Sequence, residues 1–136
     1  MLKAPAEDAQ ALFRRMAFNA LISNSDDHPR NHVVVAFAED WQLSPAYDLT
    51  PTAPPSNERR GLALSCGNQG RRASADNLLS QSARFLLPRE AGAKILDDME
   101  DQVRSRWHEV ARREGVSERD CERIAGAFAY PGFRYA

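Results

Sequence analysis

The stretch "SNSDDHPRNH", Ser23 to His32, gathers two adjacent carboxylates, two imidazoles, an arginine and two asparagines within ten positions. Four residues separate Asp26 from Asn31, which is the D-x-x-x-x-N spacing of a phosphotransfer catalytic loop. In such a loop the aspartate accepts the proton of the substrate hydroxyl, and the asparagine contributes a ligand to Mg²⁺. A further carboxylate, Asp48 in "PAYDL", follows beyond a predicted pair of short strands, where kinases carry a second metal-binding aspartate. Hard oxygen ligands of this kind suit Mg²⁺, which keeps several of its waters. Base, ligand and ligand therefore occur in the order that phosphoryl transfer needs.

These residues must be positioned by the elements around them. Pro5 suits a first helical position, and Glu7 and Asp8 complement the helix dipole. Leu12, Phe13, Met16, Ala17, Ala20 and Leu21 recur at helical spacing, so a helix is predicted to run from near Pro5 to Ser23–Asn24. "NHVVVAFA" is short and rich in β-branched residues and reads as a buried strand, which "WQLS" pairs with across the turn "AED". "PAYDLTPTAPPSNERRG" holds four prolines and reads as extended loop; "LALSCG" is either a third short strand or irregular.

The second half is predicted to be helical. Ser74 caps a helix reaching about Phe85, and Pro88 and Glu90 open a long one with Ile95, Met99, Val103, Trp107 and Val110 along one side. Arg112, Arg113 and Gly115 terminate it, and Ser117–Asp120 starts a last helix bearing Ile124 and Phe128 and stopped by Pro131. The expected fold class is mainly α (α+β), with one hairpin after the candidate loop. Residues 1–136 form one domain in this reading: 1–60 carry the loop helix, the hairpin and the metal-binding loop, and 61–136 a helical tail.

Composition narrows the function classes. The formal net charge of −1 and a pI near 6.3 provide no global field for nucleic acid, so direct nucleic-acid binding is not expected. The basic residues are nearly all arginine, Lys3 and Lys94 being the only lysines. Two isolated cysteines, Cys66 and Cys121, argue against a disulfide framework or a zinc ribbon. The longest apolar run, Val33–Ala38, is too short to span a bilayer, and the acidic start "MLKAPAEDAQ" is unlike a signal peptide. A reducing, cytoplasmic setting is the expectation.

The segments "FNALISNSDDHPRNH" and "LSPAYDLTP" resemble the HipA-like serine/threonine kinases, bacterial toxin components of two-gene toxin–antitoxin systems. Their D-x-H-x-[KR]-N loop and P-x-Y-D segment match here, and a weaker likeness continues through "LALSCGNQGRRAS" to the tail with Trp107 and Phe128. The resemblance implies a helical kinase C-lobe, with Asp26 as catalytic base, His28 supporting the loop, and Asn31 and Asp48 as Mg²⁺ ligands for ATP. Asp27 falls where the family tolerates other residues and receives no catalytic role. The family's upstream lobe carries a phosphate-covering loop and a lysine that pairs the ATP phosphates. Neither is recognisable here: Lys3 precedes the first helix, Lys94 sits within the long one, and "GNQG" at Gly67–Gly70 lacks the context of a phosphate cradle. The N-terminal ATP-clamping lobe is therefore expected to be absent, and the chain alone to transfer phosphate poorly or not at all.

Other readings compete. His28 and His32 with Asp26 or Asp27 suggest a zinc hydrolase, which Pro29 opposes by breaking the helix an i, i+4 pair needs. No G-x-S-x-G elbow supports a serine hydrolase. Arg59, Arg60, Arg71 and Arg72 read as solvated loop charge before phosphate ligands, and Ser74 of "RRAS" as a helix cap before a phosphorylation site. His108 reads as a surface or packing residue. Two function classes remain open: a kinase C-lobe completed by a separately encoded N-lobe, or a non-catalytic interaction or oligomerisation module that binds an antitoxin, another protein or itself as a homodimer.

Overall fold

In the computed structural model, which describes residues 4–52 and 60–134, α1 spans Pro5–Leu21. Pro5 opens it, Glu7 and Asp8 lie in its first turn, and Phe13, Ala17, Ala20 and Leu21 are buried. The helix closes in a Schellman arrangement: Asn24 N–H donates to Asn19 O at 2.9 Å and Ser23 N–H to Ala20 O at 3.4 Å. Ser23 takes the left-handed backbone (φ 58°) that glycine usually supplies there. Its hydroxyl donates to Ala127 O at 2.6 Å and accepts from the Arg60 guanidinium, so the turn is held from outside the helix.

β1 (Val34–Phe37) pairs antiparallel with β2 (Asp40–Leu43), with Val34 opposite Leu43 and Ala36 opposite Trp41. The hairpin forms where the sequence places it, but it is not buried. Val34 is 48% exposed, Phe37 59% and Trp41 46%. β-Branched residues report a preference for the pleated backbone, and depth depends on what packs over the sheet. Here α1 meets β2 through Asp8 Oδ2, which accepts from Leu43 N–H at 3.2 Å, and through Arg15, which donates to Ser44 O.

Residues 61–72 carry only isolated bridges, Gly61 to Arg72 and Gly67 to Gly70, so "LALSCG" is irregular. α2 (Ala75–Leu79) is capped by Ser74, whose hydroxyl accepts from Asn77 N–H. It stops six residues short of Phe85, the remainder being a 3₁₀ turn at Ser82–Phe85. Ser80 is the reason: its hydroxyl donates to Asn77 O at 2.6 Å and accepts from Asn68 N–H at 2.8 Å, tying the helix end to the preceding loop.

α3 (Arg89–Arg113) buries Gly92, Ile95, Leu96, Glu100 and Val103 and ends beside Gly115 at φ 89°. A methyl group on Gly92 would lie 3.1 Å from Leu79 Cδ2 and 3.5 Å from Phe13, so glycine permits the close approach of α1, α2 and α3. Glu100 is buried and held by Arg104 at 2.7 Å and by Arg134. α4 (Glu118–Ile124) is capped by Ser117, as expected, but ends before Phe128. The chain turns because Ala129 N–H donates to the carbonyl of Leu21 at 2.7 Å, satisfying an open acceptor at the end of α1. The fold is mainly α, with one hairpin among the described residues. Among the described residues no helix is long and apolar enough to cross a membrane.

Ser23→Ala removes one hydroxyl that serves two buried partners, and it should lower unfolding stability by about 1–3 kcal/mol. Denaturant midpoints compared with exposed Ser25→Ala, expected within about 0.5 kcal/mol of wild type, would check this.

Candidate metal site and catalytic loop

Between α1 and β1 the loop folds on its own hydrogen bonds. A 3₁₀ turn at Pro29–Asn31 starts on proline, Asn31 N–H donates to His28 O at 2.9 Å, and His32 N–H to Pro29 O at 3.1 Å. The structure gathers the four residues singled out in the sequence into two pairs. Asn31 Nδ2 donates to Asp48 Oδ2 at 2.9 Å across seventeen residues. His28 Nε2 lies 2.6 Å from Asp26 Oδ1, on a carboxylate whose side chain is 81% exposed.

The "PAYD" segment is fastened to the loop twice. Beside the Asn31–Asp48 bond, the Tyr47 hydroxyl donates to the carbonyl of Arg30. Asp48 itself has a left-handed backbone, φ 57°, which aspartate tolerates better than most residues. Adjacent residues of the two motifs are thus matched: Arg30 with Tyr47, Asn31 with Asp48.

Beneath them lies a node that sequence reasoning missed. Asn24 is buried; its Nδ2 donates to Asn19 Oδ1 at 3.0 Å and reaches Asp48 O at 3.4 Å, while its Oδ1 accepts from Asp26 N–H at 3.3 Å. One amide therefore joins the end of α1, the backbone of Asp26 and the backbone of Asp48. The available signal was Asn19, a polar residue with neighbours Ala17, Ala20 and Leu21 on the buried face of α1.

This donor set fits a small hard cation. Asn31 and Asp48 offer amide and carboxylate oxygens on side chains already in contact, and Mg²⁺ held by one or two protein oxygens fills its other positions with water or phosphate. The Asn31 amide presents its NH₂ to Asp48, so binding to both residues requires it to turn and present Oδ1. The loaded ion would neutralise charge on transferring phosphate oxygens.

The competing readings separate cleanly. His32 Nε2 pairs with Asp27 at 2.8 Å and His28 with Asp26, so the two imidazoles serve different carboxylates. Among the described residues no three His, Cys, Asp or Glu side chains gather as a metal site. Burial raises the Cys66 thiol to about 11, with Asn77 opposing in part, so it stays neutral and is a poor nucleophile. Ser74 is buried as a cap. Arg60 is corrected from solvated charge to a buried cation: its guanidinium lies 4.2 Å over the Tyr130 ring and donates to Ser23. Burial lowers its pKa, and Tyr130 offsets part of that shift. Arg59 lies outside the described residues. Arg72 donates to Gln69 Oε1 at 3.2 Å.

The paired motif segments coincide with a known sequence family. A family model described as the HipA-like C-terminal domain matches residues 1–107. The chain belongs to this family. Both motif segments of the HipA-like domain, and the Asn24 node that links them, lie inside the matched region. Trp107, the last matched residue, stacks on Phe128 beyond it at 4.5 Å, joining the family region to the tail. No curated protein and no solved structure matches the chain.

Asp48→Asn keeps the residue's size and tolerance of a left-handed backbone but removes the anionic ligand. Mn²⁺ affinity, measured from the free-ion resonance signal in titrations, should fall by at least about tenfold with unchanged circular dichroism.

Proposed function

We propose that this chain forms the catalytic-loop and metal-binding portion of a HipA-type protein serine/threonine kinase from a toxin–antitoxin system, acting with Mg²⁺ and ATP. The carrying observation is the contact between Asn31 and Asp48, two oxygen-bearing side chains from either side of the hairpin. Asp26 would accept the hydroxyl proton of a protein substrate: it is exposed, and His28 orients it. Asn31 and Asp48 would hold Mg²⁺ against the transferring phosphate. The groups that clamp ATP phosphates must come from outside these residues, either from an N-lobe in trans or from another segment. Alone the chain would then be weak or inactive, because positioning and charge stabilisation supply most of phosphoryl-transfer catalysis.

A second reading has its own observation. Val34, Phe37 and Trp41 of the hairpin, with Tyr47 and Leu49 beyond it, are exposed apolar residues on neighbouring segments. Val34 and Trp41 share one face of the hairpin, and this exposed apolar surface supports a non-catalytic interaction or oligomerisation module, with an antitoxin, an N-lobe or a second copy as partner.

Transfer from γ-labelled ATP with Mg²⁺, assayed after adding a HipA-type nucleotide-clamping lobe, separates the readings. The kinase reading expects incorporation that Asp26→Asn lowers by about 100-fold or more in kcat with little change in KM for ATP. A stable complex of the two lobes that transfers nothing overturns it in favour of the module.

A further inference from the structure

Asp27 has no place in the family's motif, yet it is the buried member of the adjacent carboxylates. Its side chain is 11% exposed where that of Asp26 is 81% exposed, so the two point to opposite sides of the loop. Both Asp27 oxygens lie on His32 Nε2, at 2.8 and 2.9 Å. His32 directly follows Asn31, and Asp27 directly follows Asp26. The contact thus closes the loop across the 3₁₀ turn that carries Asn31 and that His28 precedes.

The pair lines the wall of a cavity of about 320 Å³ whose other walls include Leu12, Met16, Leu62 and Phe85. Among the described residues no other titratable side chain but the Cys66 thiol lines this cavity, so Asp27 and His32 answer each other there. A buried carboxylate with a half-buried imidazole is a poor source of stability compared with packed apolar residues, but its geometry is narrow. Holding residues 27 and 32 together restricts the direction in which Asn31 leaves the backbone, and hence its reach to Asp48.

We propose that Asp27 and His32 form a positioning pair that sets Asn31 against Asp48 and thereby raises the affinity of the cation site. This rests, for the cation, on the metal reading above; for the placement of Asn31 it does not. The acceptor on Asp27 is what the pairing requires, so Asp27→Asn, which keeps a carbonyl oxygen for His32 Nε2–H, should substitute for it, and Asp27→Ala should not.

In the metal-free chain, the side-chain amide protons of Asn31 report its bond to Asp48 by NMR. They should stay separated and protected in Asp27→Asn and collapse to free-amide positions in Asp27→Ala. Mn²⁺ affinity should then fall by about tenfold in Asp27→Ala and recover in Asp27→Asn. If Asp27→Ala does not fold, the double substitution Asp27→Leu with His32→Phe replaces the pair by apolar contact, and it should show the same loose Asn31. Retention of the Asn31 signature in whichever of these folds overturns the proposal. Should Asp48→Asn leave Mn²⁺ binding unchanged, the metal reading fails, while the metal-free spectra still decide the placement of Asn31.

Discussion

One amide–carboxylate hydrogen bond, Asn31 to Asp48, brings together the two segments on which the proposed chemistry depends. On its own an exposed bond of this kind contributes about 1 kcal/mol and could not hold two loops together. Its persistence comes from what surrounds it. Tyr47 fastens the neighbouring residue to Arg30, and the buried amide of Asn24 ties Asp26 and Asp48 to the end of α1. Asn24 is in turn placed by the left-handed turn at Ser23, which Ala127 and Arg60 hold from the far side of the molecule. The site is thus the exposed end of a chain of contacts that begins in the core.

This arrangement explains the role of the region after α3. Ala127 and Ala129 use their backbones to complete the end of α1, and Tyr130 both stacks under Arg60 and donates to Ala73 O. The tail works as a brace for the helix end from which the candidate loop departs. The family match ends at Trp107, but the brace lies beyond it, at Ala127–Tyr130. Substitutions near Ala127–Tyr130 should therefore be felt at the loop, which Ala127 meets through the Ser23 hydroxyl.

Much of the fold was legible because local signals agreed with one another. Pro5 with its acidic turn, Ser74, Pro88, Gly115 and Ser117 each mark an element boundary where one is found. The failures have physical causes that are not local. The strand "VVAF" was expected to be buried, and β-propensity cannot reveal that the sheet has two strands among the described residues. α2 and α4 stop early because Ser80 and Ala129 bond to segments distant in sequence. Arg60 looked like loop charge because nothing near it in sequence announces Tyr130. At the candidate site, motif spacing singled out Asp26, Asn31 and Asp48, and the family resemblance added His28; the structure brings Asn31 to Asp48 and His28 to Asp26. Asn19, Asn24 and the Asp27–His32 pair escaped because they act on the backbone and on each other, not on a ligand.

The most direct test of the central claim is to map where a paramagnetic divalent ion sits. In ¹⁵N-labelled protein titrated with substoichiometric Mn²⁺, line broadening should appear first at the Asn31 side-chain amide and the Asp48 backbone amide, and Mg²⁺ should reverse it. Broadening centred instead on the acidic exposed face of α3 around Asp97, Asp98 and Asp101, with Asn31 and Asp48 unaffected, would contradict a shared cation site.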